Sequence, residues 1–229
     1  MTIKAVIFDL DGTIVKFNLD YKTVRAETIQ QLTKEGFPAS IFSLNESIFA
    51  MLQKTKIYME NNGKNEQEIQ KIKEKIFKLA ERYEIQAARD TELLPGVSET
   101  LKALKKMNLK LGLFTINCNQ ATNYLLKQLR LKRFFDAVAT RDDAEMVKPD
   151  PQHLAAVLQI LGVKPEEALV VGDGVTDMKS AADLKAVGVG IPTEMSTPQA
   201  LMRAGATSLI TSLTDLPTLI HQFNQATPT

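Results

Sequence analysis

"IKAVIFDLDGTIV", residues 3–15, is an apolar run that ends at two aspartates flanking a single leucine. The branched apolar residues predict a short buried strand, and Asp9 and Asp11 lie where that strand ends. Two neighbouring carboxylates repel each other and resist leaving water, so this arrangement costs free energy unless a cation or a reaction uses it. The stretch therefore predicts a buried first strand with a cation-dependent site at its carboxyl end.

The rest of the chain repeats one unit: a short apolar run, a polar turn and a helical pattern. Four further runs predict strands at 109–114, 135–140, 168–172 and 186–191. Helical patterns lie between and after them, at 97–107, 120–130, 151–161 and near 177–185, 197–203 and 214–224. This alternation predicts an α/β fold, a doubly wound, Rossmann-like, mostly parallel sheet of about five strands.

One long segment interrupts this alternation directly after the acidic pair. Residues 17–92 contain helical patterns at 21–36, 41–63 and 68–86 and no convincing strand. Apolar residues at helical spacing in the third pattern predict packing of one helix against another; they are Ile69, Ile72, Ile76, Leu79 and Tyr83. We therefore expect a core of residues 1–16 and 93–229 with an all-helical domain, 17–92, inserted into it.

Composition excludes several classes of protein. The 229 residues include 28 Lys and Arg against 27 Asp and Glu, so no overall charge favours nucleic acid or an anionic membrane surface. The single cysteine, Cys118, excludes an internal disulfide framework and a multi-cysteine zinc site. The sequence shows no export signal and no apolar stretch long enough to cross a bilayer. We expect a cytoplasmic protein with no nucleic-acid or membrane partner, and the oligomeric state stays open.

Polar side chains follow the predicted strands at the same end. Thr115 and Asn117 follow the second strand, Lys148 lies in the loop after the third, and Asp173 and Asp177 follow the fourth. The carboxyl ends of parallel strands share one edge of a sheet, and ligands bind there where the strand order reverses. The sequence therefore predicts that these residues form one site with the N-terminal aspartates.

Four motifs in this order resemble the haloacid dehalogenase superfamily, and within it the phosphatases, phosphoglycolate phosphatase-like, that carry a helical cap after the first strand. The motifs are DLDGT at 9–13, the apolar run ending in Thr115, Lys148 before Pro149, and GDGVTD at 172–177. The resemblance implies hydrolysis of a small phosphorylated metabolite, a phosphate monoester such as phosphoglycolate or a sugar phosphate. The reaction would pass through an aspartyl phosphate and depend on Mg²⁺, with residues 17–92 as the cap.

The resemblance also implies roles for the acidic residues. Asp9 would attack phosphorus, and Asp11 would protonate the departing alcohol and then deprotonate the water that hydrolyses the intermediate. Mg²⁺ would be held by the Asp9 side chain, the backbone carbonyl of Asp11 and Asp173, an all-oxygen set that suits this ion. Asp177 would orient the metal site or Lys148. An acidic residue stabilising the first turn of its helix is the alternative for Asp177.

The remaining motif residues would bind the phosphoryl group. Thr115 and Asn117 would donate hydrogen bonds to its oxygens, and Lys148 would offset charge in the transition state. Backbone N–H groups of the turn at Gly12 and Thr13 would add donors. Many relatives place Asn directly after the Thr, whereas this chain has Ile116 between them, so Asn117 departs from the usual pattern.

Other functions stay open at this level. A phosphomutase would share every core residue, and the hinge after the DLDGT motif, with Lys16, Phe17 and Asn18, does not distinguish it. A non-catalytic phosphate-binding module and a phosphorelay receiver are weaker alternatives, because the first would have lost an aspartate and the second lacks a helical insert. Four cap residues are candidates for substrate contacts, Arg25, Lys54, Lys56 and Tyr58, while three others are interpreted as structural or surface residues, Cys118, His153 and His221.

Overall fold

The computed structural model describes residues 2–225, and within them the chain separates into two compact units. One unit holds the described residues up to Phe17 and from Thr91 onward, and the other is Asn18–Asp90. The first contains every strand of the described residues, and the second is helical.

The first unit is built on a six-stranded sheet in the order β3-β2-β1-β4-β5-β6, with all neighbouring strands parallel. The strands are β1 (Ala5–Phe8), β2 (Lys110–Phe114), β3 (Ala137–Ala139), β4 (Ala168–Gly172), β5 (Val187–Gly190) and β6 (Ser208–Leu209). The doubly wound parallel fold is confirmed. The sheet has one strand beyond the roughly five expected, and this is the two-residue β6, a run too short to show an apolar pattern.

The described helices agree with most of the predicted ones. They are α1 (Tyr21–Lys34), α2 (Ile48–Asn61), α3 (Glu66–Asp90), α4 (Val97–Lys106), α5 (Asn119–Gln128), α6 (Pro151–Leu161), α7 (Val175–Leu184), α8 (Pro198–Arg203) and α9 (Leu216–Gln225). α6 shows how the sequence sets such bounds: Asp150 caps its first turn, Pro151 begins it, and Gly162 ends it in a left-handed conformation. Among the helices of residues 2–225, none has the length and apolar character that a membrane span requires.

The centre of the sheet is the most deeply buried part of the first unit. All four residues of β1 are buried, and β1 pairs with β2 on one side and β4 on the other. Strands buried on both faces appear in sequence as continuous apolar runs, which is why these strands were predictable. Strand order reverses between β1 and β4, so the carboxyl ends of these two strands form the switch point at which such sheets bind ligands.

The helical unit has its own core. Leu32 of α1 and Met51 and Met59 of α2 pack with Ile69 and Ile76 of α3, which confirms that the apolar stripe of α3 serves helix packing. α2 begins after Ser47, whose side chain accepts a hydrogen bond from Ala50 N, so the helical pattern predicted from residue 41 starts too early.

The four cap candidates have partners within this unit. Arg25 donates to Leu44 O at 3.1 Å, and Lys54 pairs with Glu46 at 2.6 Å. Lys56 lies 3.9 Å from Glu60, and the Tyr58 ring meets the Phe37 ring edge-on. These contacts account for each side chain within the helical unit, and their role in substrate selection stays a prediction.

Candidate active site

The site begins where the central strands end. Asp9 directly follows β1, Thr115 follows β2, and Asp173 follows β4. The register aligns these ends, since Phe8 pairs with Leu113 of β2 and with Val171 of β4. The parallel register therefore brings residues from three distant parts of the sequence to one edge of the sheet.

Lys148 links two of the carboxylates. Its Nζ lies 2.6 Å from Asp177 Oδ1 and also forms an ion pair with Asp9 Oδ1. The same ammonium group donates to Phe114 O at 3.3 Å and lies 4.3 Å from the centre of the Phe114 ring. All three charged side chains are buried. Lys148 holds the carboxylates of Asp9 and Asp177 together by direct contact with both.

Asp177 combines the two alternatives that its position in the sequence left open. Its Oδ2 accepts a hydrogen bond of 2.9 Å from Gly174 N at the first turn of α7, and its Oδ1 pairs with Lys148. A Cβ on Gly172 would lie only 2.3 Å from Asp177 Oδ2. The absence of a side chain at residue 172 is what lets this carboxylate sit against the end of β4.

The turn after Asp11 uses glycine for a similar close approach. Gly12 has φ +81°, and a Cβ there would lie 2.4 Å from Asp173 Oδ2. Its N–H donates to Val15 O at 2.8 Å, and Thr13 N donates to Leu10 O at 3.4 Å. The structure thus differs from the expectation that these two N–H groups point to a phosphoryl group, because the turn folds back on itself and uses them internally.

Asn117 has contacts that the sequence did not predict. Its Nδ2 donates to Asp11 Oδ2 at 2.6 Å, and its backbone N–H donates to Thr115 Oγ1 at 3.2 Å. Thr115 is buried at the end of β2. The structure therefore brings Asn117 to the second aspartate of the motif, and its contact with phosphate stays a prediction.

Comparison with known proteins decides the family. Residues 3–185 match the haloacid dehalogenase-like hydrolases. The chain belongs to that family. This haloacid dehalogenase-like hydrolase is 33% identical over 189 residues to pyrophosphatase PpaX of Bacillus cereus (strain AH820), and the match covers 78% of each chain. The family and the enzyme class predicted from the motifs are confirmed.

Solved structures of similar proteins share the fold. A hydrolase from Pseudomonas syringae is 29% identical, with a TM-score of 0.66, over 96% of this hydrolase and 98% of that chain. A predicted phosphoglycolate phosphatase from Haemophilus somnus 129PT is 20% identical, with a TM-score of 0.65, over 95% and 97% of the two chains. At that lower identity the likeness concerns the fold alone.

The carboxylates of this hydrolase repel one another in a buried setting. Burial raises the pKa of Asp9, against the lowering effect of Lys148, and the neighbouring Asp173 raises it further. Burial, and then the charge of Asp177, raises the pKa of Asp173 to about 6. Burial alone would lower the pKa of Lys148, but Asp177 and Asp9 outweigh it and hold that pKa above its ordinary value. The site therefore favours additional positive charge.

The donor set fits a hard divalent cation. One carboxylate oxygen from each of Asp9, Asp173 and Asp177 can be chosen so that all three lie within 4.8 Å of one another. Lys148 offsets one of these three negative charges, and the excess that remains matches an ion such as Mg²⁺, which prefers oxygen ligands. Both oxygens of Asp177 are already engaged, Oδ1 by Lys148 and Oδ2 by Gly174 N, whereas the Lys148 contact with Asp9 involves Oδ1, so Asp9 and Asp173 are the better placed ligands. The backbone carbonyl of Asp11 stays a prediction as a third.

His153 supports the site, although the sequence led us to interpret it as a structural or surface residue. It is fully buried in the first turn of α6, where Nδ1 accepts from Lys148 N at 3.4 Å and Nε2 lies 3.2 Å from Thr140 O. It thereby holds the backbone that carries the Lys148 side chain. Its position five residues after Lys148, on the apolar face of α6, is the signal that could have indicated this.

We expect His153 to make stability depend on pH. Burial, with a further contribution from Lys148, lowers its pKa to about 4 from the ordinary value of 6.5. The unfolded chain therefore binds the proton more tightly, so this contribution is complete above pH ~6.5 and is lost as the pH falls towards ~4. The loss amounts to about 3 kcal/mol of the free energy of unfolding.

Urea unfolding of the wild type and of His153→Gln across that range checks this prediction. Glutamine can keep both hydrogen bonds but does not titrate. Asp173 and Asp177, whose pKa values are raised, contribute in the opposite direction, with stability gained as the pH falls, and they are present in both proteins. The difference between the two proteins isolates His153, and parallel stability curves would contradict the prediction.

Proposed function

We propose that this hydrolase is a Mg²⁺-dependent phosphatase that releases phosphate from a small phosphate monoester through an aspartyl phosphate on Asp9. The observation that supports this most directly is the buried ion pair between Asp9 and Lys148 beside Asp173. The Asp9 carboxylate is held by the Lys148 ammonium group and faces the carboxylate of Asp173, which also lies at a strand end. This arrangement can receive an anionic substrate together with a cation. A purely structural ion pair would gain nothing from the second carboxylate.

In the first step, a carboxylate oxygen of Asp9 attacks phosphorus. The bond from phosphorus to the leaving oxygen breaks, its electron pair goes to that oxygen, and Asp11 supplies the proton that makes it an alcohol. Lys148 lies against Asp9 and offsets the charge that gathers around phosphorus. The hydroxyl group of Thr115, at the end of β2, donates a hydrogen bond to a phosphoryl oxygen.

In the second step, a water molecule attacks the phosphorus of the aspartyl phosphate. Asp11, now ionised, takes a proton from this water, and the bond from phosphorus to the Asp9 oxygen breaks with its electron pair returning to the carboxylate. Free phosphate leaves and the starting enzyme is restored. Mg²⁺ held by Asp9 and Asp173 would reduce the repulsion between the nucleophile and a dianionic ester.

The substrate proposed is a small metabolite of the phosphoglycolate or sugar phosphate type. In this proposal residues 17–92 form a helical cap that excludes bulk water and selects the leaving group. The proposal also keeps the cytoplasmic location expected from the sequence. A phosphomutase of the same fold remains the alternative within this reaction class.

Inorganic pyrophosphate is a second candidate substrate. The specific observation in its favour is the relative named pyrophosphatase PpaX, to which the chain is 33% identical over 78% of its length. The same two steps would apply, with phosphate in place of an alcohol as the leaving group. Phosphate leaves more readily than an alkoxide, so this substrate depends less on a proton from Asp11.

A phosphate-release screen tests the proposal. We expect wild-type protein with Mg²⁺ to hydrolyse at least one of phosphoglycolate, glycerol 3-phosphate, hexose phosphates or pyrophosphate, and chelation by EDTA to reduce the rate by roughly 100-fold or more. Added Mg²⁺ restores activity and raises the midpoint of thermal unfolding, because the ion binds the folded carboxylates.

Equal release with and without EDTA would contradict the metal dependence. Hexose phosphates are also analysed for isomerised product, since a mutase would give isomer in place of free phosphate. Release from pyrophosphate alone would favour the second candidate substrate over the first.

A further inference from the structure

One side chain joins the loop after β2 to the second aspartate of the N-terminal motif. Asn117 Nδ2 donates to Asp11 Oδ2 at 2.6 Å, although the two residues lie 106 positions apart in the sequence. We propose that Asn117 is a positioning residue for Asp11, holding its carboxyl group in one orientation for proton transfer. This inference rests on the proposed function.

The backbone of Asn117 is fixed before any substrate binds. Its N–H donates to Thr115 Oγ1 at 3.2 Å, and its carbonyl accepts from Arg141 N at 3.1 Å. The neighbouring Ile116 carbonyl accepts from Arg141 Nη1 at 3.4 Å. Arg141 is 3% exposed, so a buried guanidinium anchors this loop to the turn Arg141–Asp143. The amide therefore reaches Asp11 from a rigid support, which reduces the entropy lost on forming the contact.

The hydrogen bond suits a carboxyl group that must both give and take a proton. An ionised carboxylate and the carbonyl oxygen of a protonated carboxyl both accept hydrogen bonds, so Asn117 can donate in either state. The contact with Oδ2 therefore orients the Asp11 carboxyl group in both of these states.

A role in positioning Asp11 differs measurably from a role in holding phosphate. An alkyl ester needs a proton on its leaving oxygen in the first step, whereas p-nitrophenolate leaves readily without one. The ratio kcat/KM reports only the steps up to departure of the leaving group. Loss of a positioning residue should therefore affect alkyl esters selectively, while loss of a phosphate ligand should affect both esters equally.

The experiment compares kcat/KM for glycerol 3-phosphate and p-nitrophenyl phosphate in wild type and Asn117→Ala. We expect a loss of roughly 10- to 100-fold for glycerol 3-phosphate and less than about 3-fold for p-nitrophenyl phosphate. Asp11→Asn should show the same selectivity more strongly. Asn123→Ala, which makes the same change at an exposed position of α5, should leave both values unchanged.

An equal loss for both esters in Asn117→Ala, with Asp11→Asn still selective, would overturn the inference and leave the proposed function intact. Failure of the proposed function is distinct, since wild-type turnover would then be absent or insensitive to Asp9→Asn. A spectroscopic measurement tests the inference in that case as well. In ¹H–¹⁵N spectra, the Asn117 side-chain amide signal should shift strongly in Asp11→Ala, and an unchanged signal would overturn the inference.

Discussion

Asp9→Asn is expected to reduce phosphate release with Mg²⁺ by roughly 10⁴-fold or more, because an amide oxygen cannot serve as the nucleophile that forms the aspartyl phosphate. The substitution also removes one negative charge from the cluster of Asp9, Asp173 and Asp177. Affinity for Mg²⁺ should therefore fall along with the rate. The measurement is steady-state phosphate release on the best substrate, together with Mg²⁺ titration followed by thermal unfolding.

Asp183→Asn is the matched control. Asp183 lies exposed on α7, so the same change of carboxylate to amide should leave the rate within about 2-fold of wild type. Near-normal turnover by Asp9→Asn would remove the covalent mechanism. Trapping of a phosphorylated wild-type protein that is absent in the variant would support it independently of the rate.

Lys148→Met is expected to have the second largest effect, on both activity and stability. The substitution leaves Asp9 and Asp177 buried without their shared cation, and breaking a buried ion pair from one side costs about 3–5 kcal/mol. The same ammonium group offsets charge near phosphorus, so kcat/KM should fall on the order of 10³-fold. Urea unfolding without added metal and steady-state kinetics with Mg²⁺ measure the two effects separately.

Two further variants serve as controls for Lys148→Met. Lys132→Met removes an exposed lysine from the same unit and should change neither the stability nor the rate. Lys148→Arg keeps the charge but replaces a compact ammonium with a planar group that cannot occupy the same buried space, so it should restore part of the stability and less of the rate. Full stability in Lys148→Met without metal would show that the ion pair is not what holds the site together.

Much of the fold could be predicted because its signals are local. A strand buried on both faces needs a continuous apolar run, and β1, β2 and β4 each contain one. The two-residue strand β6 and the start of α2 after Ser47 could not be placed by such patterns. One is too short to show a period, and the other depends on a single capping hydrogen bond.

The candidate site divides in the same way. Asp9, Thr115 and Asp173 were predictable because each directly follows a strand, and parallel pairing brings strand ends together. The contact between Asn117 and Asp11 was not predictable. An asparagine that donates to phosphate and one that donates to a neighbouring carboxylate look the same in sequence. The burial of Arg141 was equally hidden, because its guanidinium contacts Ile116, which lies 25 positions earlier in the sequence.

The sequence by itself determined the order of strands and helices along the chain, because periodicity is a property of neighbouring residues. Its motifs and their spacing also determined the family and the residues that lie at the edge of the sheet. The tertiary structure alone decided which of those side chains touch. Lys148 meets Asp9 across 139 positions, and Gly12 and Gly172 are needed only because carboxylates from other segments approach their backbones. Contacts of this kind follow from how the folded chain packs in space, and no local pattern encodes them.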